Sequence, residues 1–231
     1  MFDKLKDAMH QATDMAKAMK FDPSTFNDPV AEQIDWRTIS RSSTNFKTHK
    51  LITDGVNRAE FKPSLNVIFF SLIFIGVAVG FLIYWLPQEL EQGLSFTAEG
   101  LMPFIFPLIF GGVGVIFLLK YSTPIVFDKL TGAFWKGKNE PDHHTNLSSM
   151  KNGVPLEEIH ALQLLRRYNR RNSSSSSGSS SSRRGYYVYE LNLVLKDGTR
   201  KHVLAHGGRG AMHDDASELA EFLGVPLWAV T

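Results

Sequence analysis

No cysteine occurs among the 231 residues. No disulfide can staple the fold, and the chain leans toward a reducing compartment. Catalytic signatures are missing too. There is no phosphate-binding glycine loop and no dinucleotide fingerprint after a strand. HGGRG (206–210) looks like a glycine-rich oxyanion loop, but no G-x-S-x-G elbow accompanies it. The simpler reading of HGGRG is a strand-to-helix turn, with Arg209 beside a helix start. His202 and His206 lie four apart on a predicted strand, about 13 Å, too far to share a metal. Asp142-His143-His144 reads as an exposed loop. These absences predict a protein that is not an enzyme and carries no cofactor or metal.

Charge is also missing where it matters most. LNVIFFSLIFIGVAVGFLIYWL (65–86) and LMPFIFPLIFGGVGVIFLL (101–119) hold no ionisable Asp, Glu, Lys, Arg or His. The mean hydropathy of −0.11 hides this clustering. The first run has 22 residues, enough to cross a hydrocarbon core about 30 Å thick. Its fifteen Leu, Ile, Val and Phe residues favour insertion at about −0.3 to −0.6 kcal/mol each. Tyr84 and Trp85 stand where an interfacial aromatic belt falls. Pro103 and Pro107 in the second run are tolerated where neighbouring helices cover the freed backbone. A span that starts this far into the chain, with no small-residue cleavage pattern, is not a cleavable signal. The bland alternative is two buried core helices.

Direction follows from the flanks. The connecting loop carries Glu89, Glu91 and Glu99 and no Lys or Arg. Lys47, Lys50, Arg58 and Lys62 precede the first run, and Lys120, Lys129, Lys136 and Lys138 follow the second. Basic residues stay on the cytoplasmic side, so both termini are expected there. Gly76 and Gly80 form a G-x-x-x-G pair, and Gly111, Gly112 and Gly114 cluster in the second span. Such faces let helices approach closely, within the hairpin or between copies of the chain. The lack of ionisable side chains inside the spans argues against an ion-coupled transporter.

The division expected is 1–20, 21–64, 65–119 and 120–231. Residues 1–20 space Phe2, Leu5, Met9, Ala12, Ala16 and Met19 as a short heptad seam, suited to a membrane surface, a partner helix or the protein itself. Residues 21–46 read as an irregular connector, and Asp54-Gly55 in the segment that follows marks a hairpin. Beyond the second span, strands recur: TPIVFD, AFWKGK, LEEIHALQLLRRY, YYVYELNLVLKDG and TRKHVLAH. In the fourth, Tyr187, Tyr189, Leu191, Leu193 and Leu195 alternate with Val188, Glu190, Asn192 and Val194. DDASELAEFLG is a helix, with Asp215 and Glu218 as a capping box and Gly224 after its last turn. Leu227 and Trp228 extend its apolar face.

The expected fold class is α+β in a membrane protein: a two-helix transmembrane hairpin plus a small cytoplasmic antiparallel sheet capped by a C-terminal helix. By analogy the domain is pleckstrin-homology-like. The serine tract 172–182 then joins two neighbouring strands as a surface loop. Such a tract cannot bury enough apolar surface to order itself. Doubling a loop costs only about 0.6 kcal/mol in closure entropy. Arg166, Arg167, Arg170, Arg171, Arg183 and Arg184 flank it. They suit anionic head groups at about 1 kcal/mol per basic residue, against the alternative of a solvated rim. Nucleic acid is disfavoured, since interleaved aromatics are missing.

FDKLTGAFWKGK, LEEIHALQLL, YELNLVLKDG, HGG and LAEFLGVPLW, with NFKTHKL upstream, resemble an uncharacterised family of bacterial two-span inner-membrane proteins with a small cytoplasmic C-terminal domain. The resemblance covers about residues 35–231 and implies topology and architecture. No activity comes with it, and the serine tract looks like an insertion relative to its pattern. The functions these readings support are a membrane-anchored module that binds a partner protein or anionic lipid, or an oligomeric channel component.

Overall fold

The structure, a computed structural model, describes residues 21–41, 44–92, 98–141, 153–169 and 185–230. The predicted helix over 1–20, the Asp142–His144 cluster, the serine tract and Arg170, Arg171, Arg183 and Arg184 lie outside these residues.

Local turn chemistry builds the first sheet. β1 (His49–Thr53) and β2 (Arg58–Pro63) form the hairpin expected at Asp54-Gly55. One carboxylate oxygen of Asp54 accepts from the backbone N–H groups of Val56, Asn57 and Arg58 at 2.8–3.0 Å, and Gly55 takes φ +77°. Asp128 does the same for the turn between β3 (Ile125–Asp128) and β4 (Ala133–Lys136), accepting from Leu130 and Thr131. With β5 (Gly153–Pro155) these strands make an antiparallel sheet in the order β1-β2-β3-β4-β5.

A second sheet has the order β8-β7-β6-β9. β6 (Ile159–Asn169) and β7 (Tyr186–Leu195) are antiparallel neighbours, so the serine tract does join adjacent strands. β8 (Arg200–His206) completes the meander. Leu227 and Trp228, expected to extend the apolar face of the last helix, belong to a strand instead. Pro226 keeps the helix from continuing, as expected, and Leu227–Val230 form β9, parallel to β6. The domain therefore has two sheets, and a strand rather than a helix comes last.

The sheets pack face to face. Phe61, Phe127 and Phe134 of the first meet Leu162, Leu164, Leu191 and Leu193 of the second. The helix Arg209–Leu223 closes the core with Met212, Leu219 and Phe222. Each such fully buried side chain contributes about 1.5–3 kcal/mol. This helix begins at Arg209, with Gly208 as its N-cap, six residues before the Asp215 of the expected capping box, so Asp215 lies inside it. Asp215 is buried and pairs with Lys47 Nζ at 2.8 Å. Gly224, at φ +70°, does end the helix, donating to Ala220 O.

Residues 21–41 are not a loose connector. Asp22 caps a 3₁₀ turn at Pro23–Phe26, and Asp28 caps α1 (Pro29–Gln33). Ala31 and Ile34 pack with Ala161, Val194 and Trp228 on the outer face of the second sheet. The alternation in β7 predicts one solvated face, yet residues 188–194 are buried on both. This strap is the reason. Glu190, 1 % exposed, accepts from the N–H of Ile39 and of Ser40, each at 2.7 Å, and from Asn192 Nδ2 at 2.8 Å. Arg200 and Gln163 hold the carbonyls of Arg37 and Asp35. The strap's backbone groups are thereby paired with side chains of the sheet, as buried backbone requires.

Between β2 and β3 stands a helical hairpin. α2 (Leu65–Gln92) follows β2 after Ser64, and α3 (Ala98–Tyr121) leads into β3. Both are long and apolar enough to cross a membrane. They pack through Phe70–Phe117, Phe74–Phe110 and Phe81–Phe106 ring contacts at 4.8–5.7 Å. The remaining apolar surface faces outward, with Leu65 77 % and Leu108 75 % exposed. We number the closing helix Arg209–Leu223 α4.

Candidate functional site

The hairpin emerges from adjacent strands, since Phe61 of β2 pairs with Ile125 of β3. Its foot is thus fixed against the sheets, and a cavity of about 870 Å³ lies there. That size falls within the usual range of ligand sites, about 300–1,000 Å³. Five parts of the chain wall it: the last turn of α3, the start of β3, the end of β4, the strap through Phe46 with the start of β1, and β8. Lys120, Lys136 and Arg41 bring positive charge. Among the described lining residues there is no Asp or Glu.

Lys136 sits at the end of β4, paired with Ile125. Burial pulls its ammonium down to about 8, and no anionic group among the described residues opposes the shift. His49 is 8 % exposed and is held at about 4, chiefly by burial, then by His206 and Lys136. Its Nδ1 lies 2.9 Å from Thr48 Oγ1, it bonds the backbone of Tyr121, and its ring meets the Tyr121 ring edge-on at 6.1 Å. His49 therefore ties β1 to the end of α3. His202 is also held at about 4, by burial and then by Lys136. Its Nδ1 is buried with no hydrogen-bond partner among the described residues. The site combines fixed cations with neutral imidazoles, a setting that attracts an anion and supplies hydrogen bonds to it.

The glycines of HGGRG have a packing explanation. A Cβ at Gly207 would overlap the backbone of Asn45 in the strap, and Gly208 takes φ +97° at the start of α4. Arg209 is exposed on the first turn and does not line the cavity.

The residues singled out from sequence fall into separate places. Arg166 is exposed, its guanidinium 5.2 Å from the centre of the Tyr187 ring. Arg167 is half-buried and donates to Ser40 O at 2.9 Å, so it anchors the strap rather than forming a solvated rim. The helix glycines divide as well. A Cβ on Gly114 would stand 2.8 Å from both Ser71 O and Ile75 Cγ1, and one on Gly111 would stand 3.2 Å from Ala78 Cβ. Gly76, Gly80 and Gly112 have open space instead. The G-x-x-x-G pair thus does not build the hairpin, because it faces away from α3. The cavity itself was not expected. Its residues come from distant segments, and the one local signal was Lys120-Tyr121 at the end of an apolar run.

No protein-family model, curated protein or solved structure matches this chain.

Proposed function

We propose that this chain is a two-pass membrane protein, with both termini cytoplasmic, whose domain binds an anionic lipid where the hairpin meets the sheets. The observation that carries the reading is the cavity at the hairpin foot, cationic and without an Asp or Glu among its described lining residues. Three features support membrane insertion. The flanking Lys and Arg all lie on the domain side. Only 17 % and 11 % of the two apolar windows is buried, where a soluble core helix is mostly buried. The strap, both sheets and the last helix gather at one end of the hairpin. The resemblance to bacterial two-span proteins makes the inner membrane the proposed location. Two packed sheets with a closing helix also support the pleckstrin-homology-like analogy, from which β9 departs.

Purified full-length protein in nanodiscs of mixed phosphatidylcholine and phosphatidylglycerol tests this. Native mass spectrometry should find the anionic lipid enriched among retained lipids, with retention falling as salt rises. Retention that merely follows bulk composition would sink the lipid reading. A second reading, an oligomeric pore component, has one observation in its favour: Gly76 and Gly80 lie open on the outer face of α2. Crosslinked oligomers with ion flux in liposomes would favour it over the first.

A further inference from the structure

We propose that the cavity at the hairpin foot is a phosphomonoester site, taking a lipid head group that ends in a free phosphate. This deepens the lipid-binding reading and rests on it.

Lys136 is largely enclosed, and no Asp or Glu stands among the described residues lining the same cavity. Elsewhere in the domain a buried charge has its partner, as Lys47 has Asp215. Among the described residues Lys136 has no such counter-ion, so its ammonium disfavours the empty state until an anion arrives. Lys120 and Arg41 raise the same demand from the rim. A phosphodiester head group such as phosphatidylglycerol brings one negative charge. A phosphomonoester brings about −1.5 to −2 at pH 7, and neighbouring cations drive it toward the dianion. The dianion answers this cluster better.

Hydrogen bonding points the same way. A terminal phosphate has three acceptor oxygens beyond its ester link. His202, kept neutral by burial, lines the same cavity as Lys136; its Nδ1 is itself buried, with no hydrogen-bond partner among the described residues. Shape decides the lipid source over a free ion. The cavity far exceeds one phosphate, and Phe117 and Ile125 line it near the apolar hairpin, where a glycerol backbone and the first carbons of a chain would lie.

The test uses full-length protein in phosphatidylcholine nanodiscs doped equally with phosphatidic acid and phosphatidylglycerol. Native mass spectrometry reads which lipid is retained. Phosphatidic acid should be retained at least about 10-fold more, the scale of one charged hydrogen bond. Lys136→Met should abolish that preference while raising the melting temperature of protein in plain phosphatidylcholine, because it removes a half-buried charge with no counter-ion among the described residues. A melting temperature that falls with the preference lost would mark a folding defect, so His202→Gln is the second variant and should cut the preference with an unchanged melting temperature. Glycerol 3-phosphate in solution should compete only at concentrations far above those of the lipid. Equal enrichment of both anionic lipids, untouched by Lys136→Met, overturns the inference and leaves the lipid reading standing. Competition by glycerol 3-phosphate as strong as by the lipid keeps the phosphate chemistry and overturns the lipid source. Enrichment of neither lipid overturns both.

Discussion

Replacing Gly114 by alanine should loosen the hairpin, while the same change at Gly76 should not. The added Cβ at Gly114 would stand 2.8 Å from Ser71 O, 2.8 Å from Ile75 Cγ1 and 3.0 Å from Phe74 Cβ. Carbon atoms prefer about 3.5–4.0 Å, so the helices must part by several tenths of an ångström. Ser71 O is backbone and cannot turn aside. Overpacking of this kind costs about 1–3 kcal/mol. Alanine also gains up to about 1 kcal/mol in helix propensity over glycine, which masks part of the loss. Gly76→Ala carries that same gain with nothing within 4 Å of its Cβ, so it serves as the control. The quantity to measure is the stability difference between the two variants, by reversible titration with a denaturing detergent. Gly114→Ala should come out less stable by about 1–3 kcal/mol. Equal stability would refute the packing of α3 on α2 through this face.

Three further outcomes are expected. Glu190→Leu orphans the N–H groups of Ile39 and Ser40, at about 1–3 kcal/mol each, so trypsin should cleave at Arg37 or Arg41 faster than in the parent; an unchanged digestion rate counts against the strap. His49, held at about 4 against an ordinary 6.5, favours its neutral form when folded. The unfolded chain then binds the extra proton first, so stability is intact above about pH 6.5 and is lost toward pH 4, by about 3 kcal/mol at most. His49→Gln should flatten that acid limb in a melting series, and an unaltered slope would assign the loss to other groups. Gln92→Cys, the sole thiol in a chain with no cysteine, should react with a membrane-impermeant reagent in intact cells once any outer membrane is permeabilised; labelling only after lysis reverses the proposed orientation.

Much of this architecture is written in local pattern. Two uncharged apolar runs are long enough for only a few fates, and helices over Leu65–Gln92 and Ala98–Tyr121 follow. Asp54-Gly55 and Gly224 mark chain reversals because few residues adopt positive φ. The neighbouring of β6 and β7 was legible through an apolar-rich strand on each side of a tract that cannot pack. Other features depend on what arrives from far away. Asp215 reads as a cap until Lys47 closes on it and the helix starts at Arg209. Glycines at a spacing of four promise a helix interface, but which face a helix presents is set by its partner, so Gly114 packs and Gly76 and Gly80 do not. Alternation in β7 predicts one wet face, and the strap covers it through contacts some 150 residues apart in sequence. The cationic cavity is the extreme case. Lys136, Lys120, Arg41 and His202 are unremarkable one at a time. Composition and periodicity act over a few neighbouring residues, and they determined the elements and the apolar spans. A shared electrostatic site exists only once two sheets and a helical hairpin bring its members together, and that the tertiary structure decided.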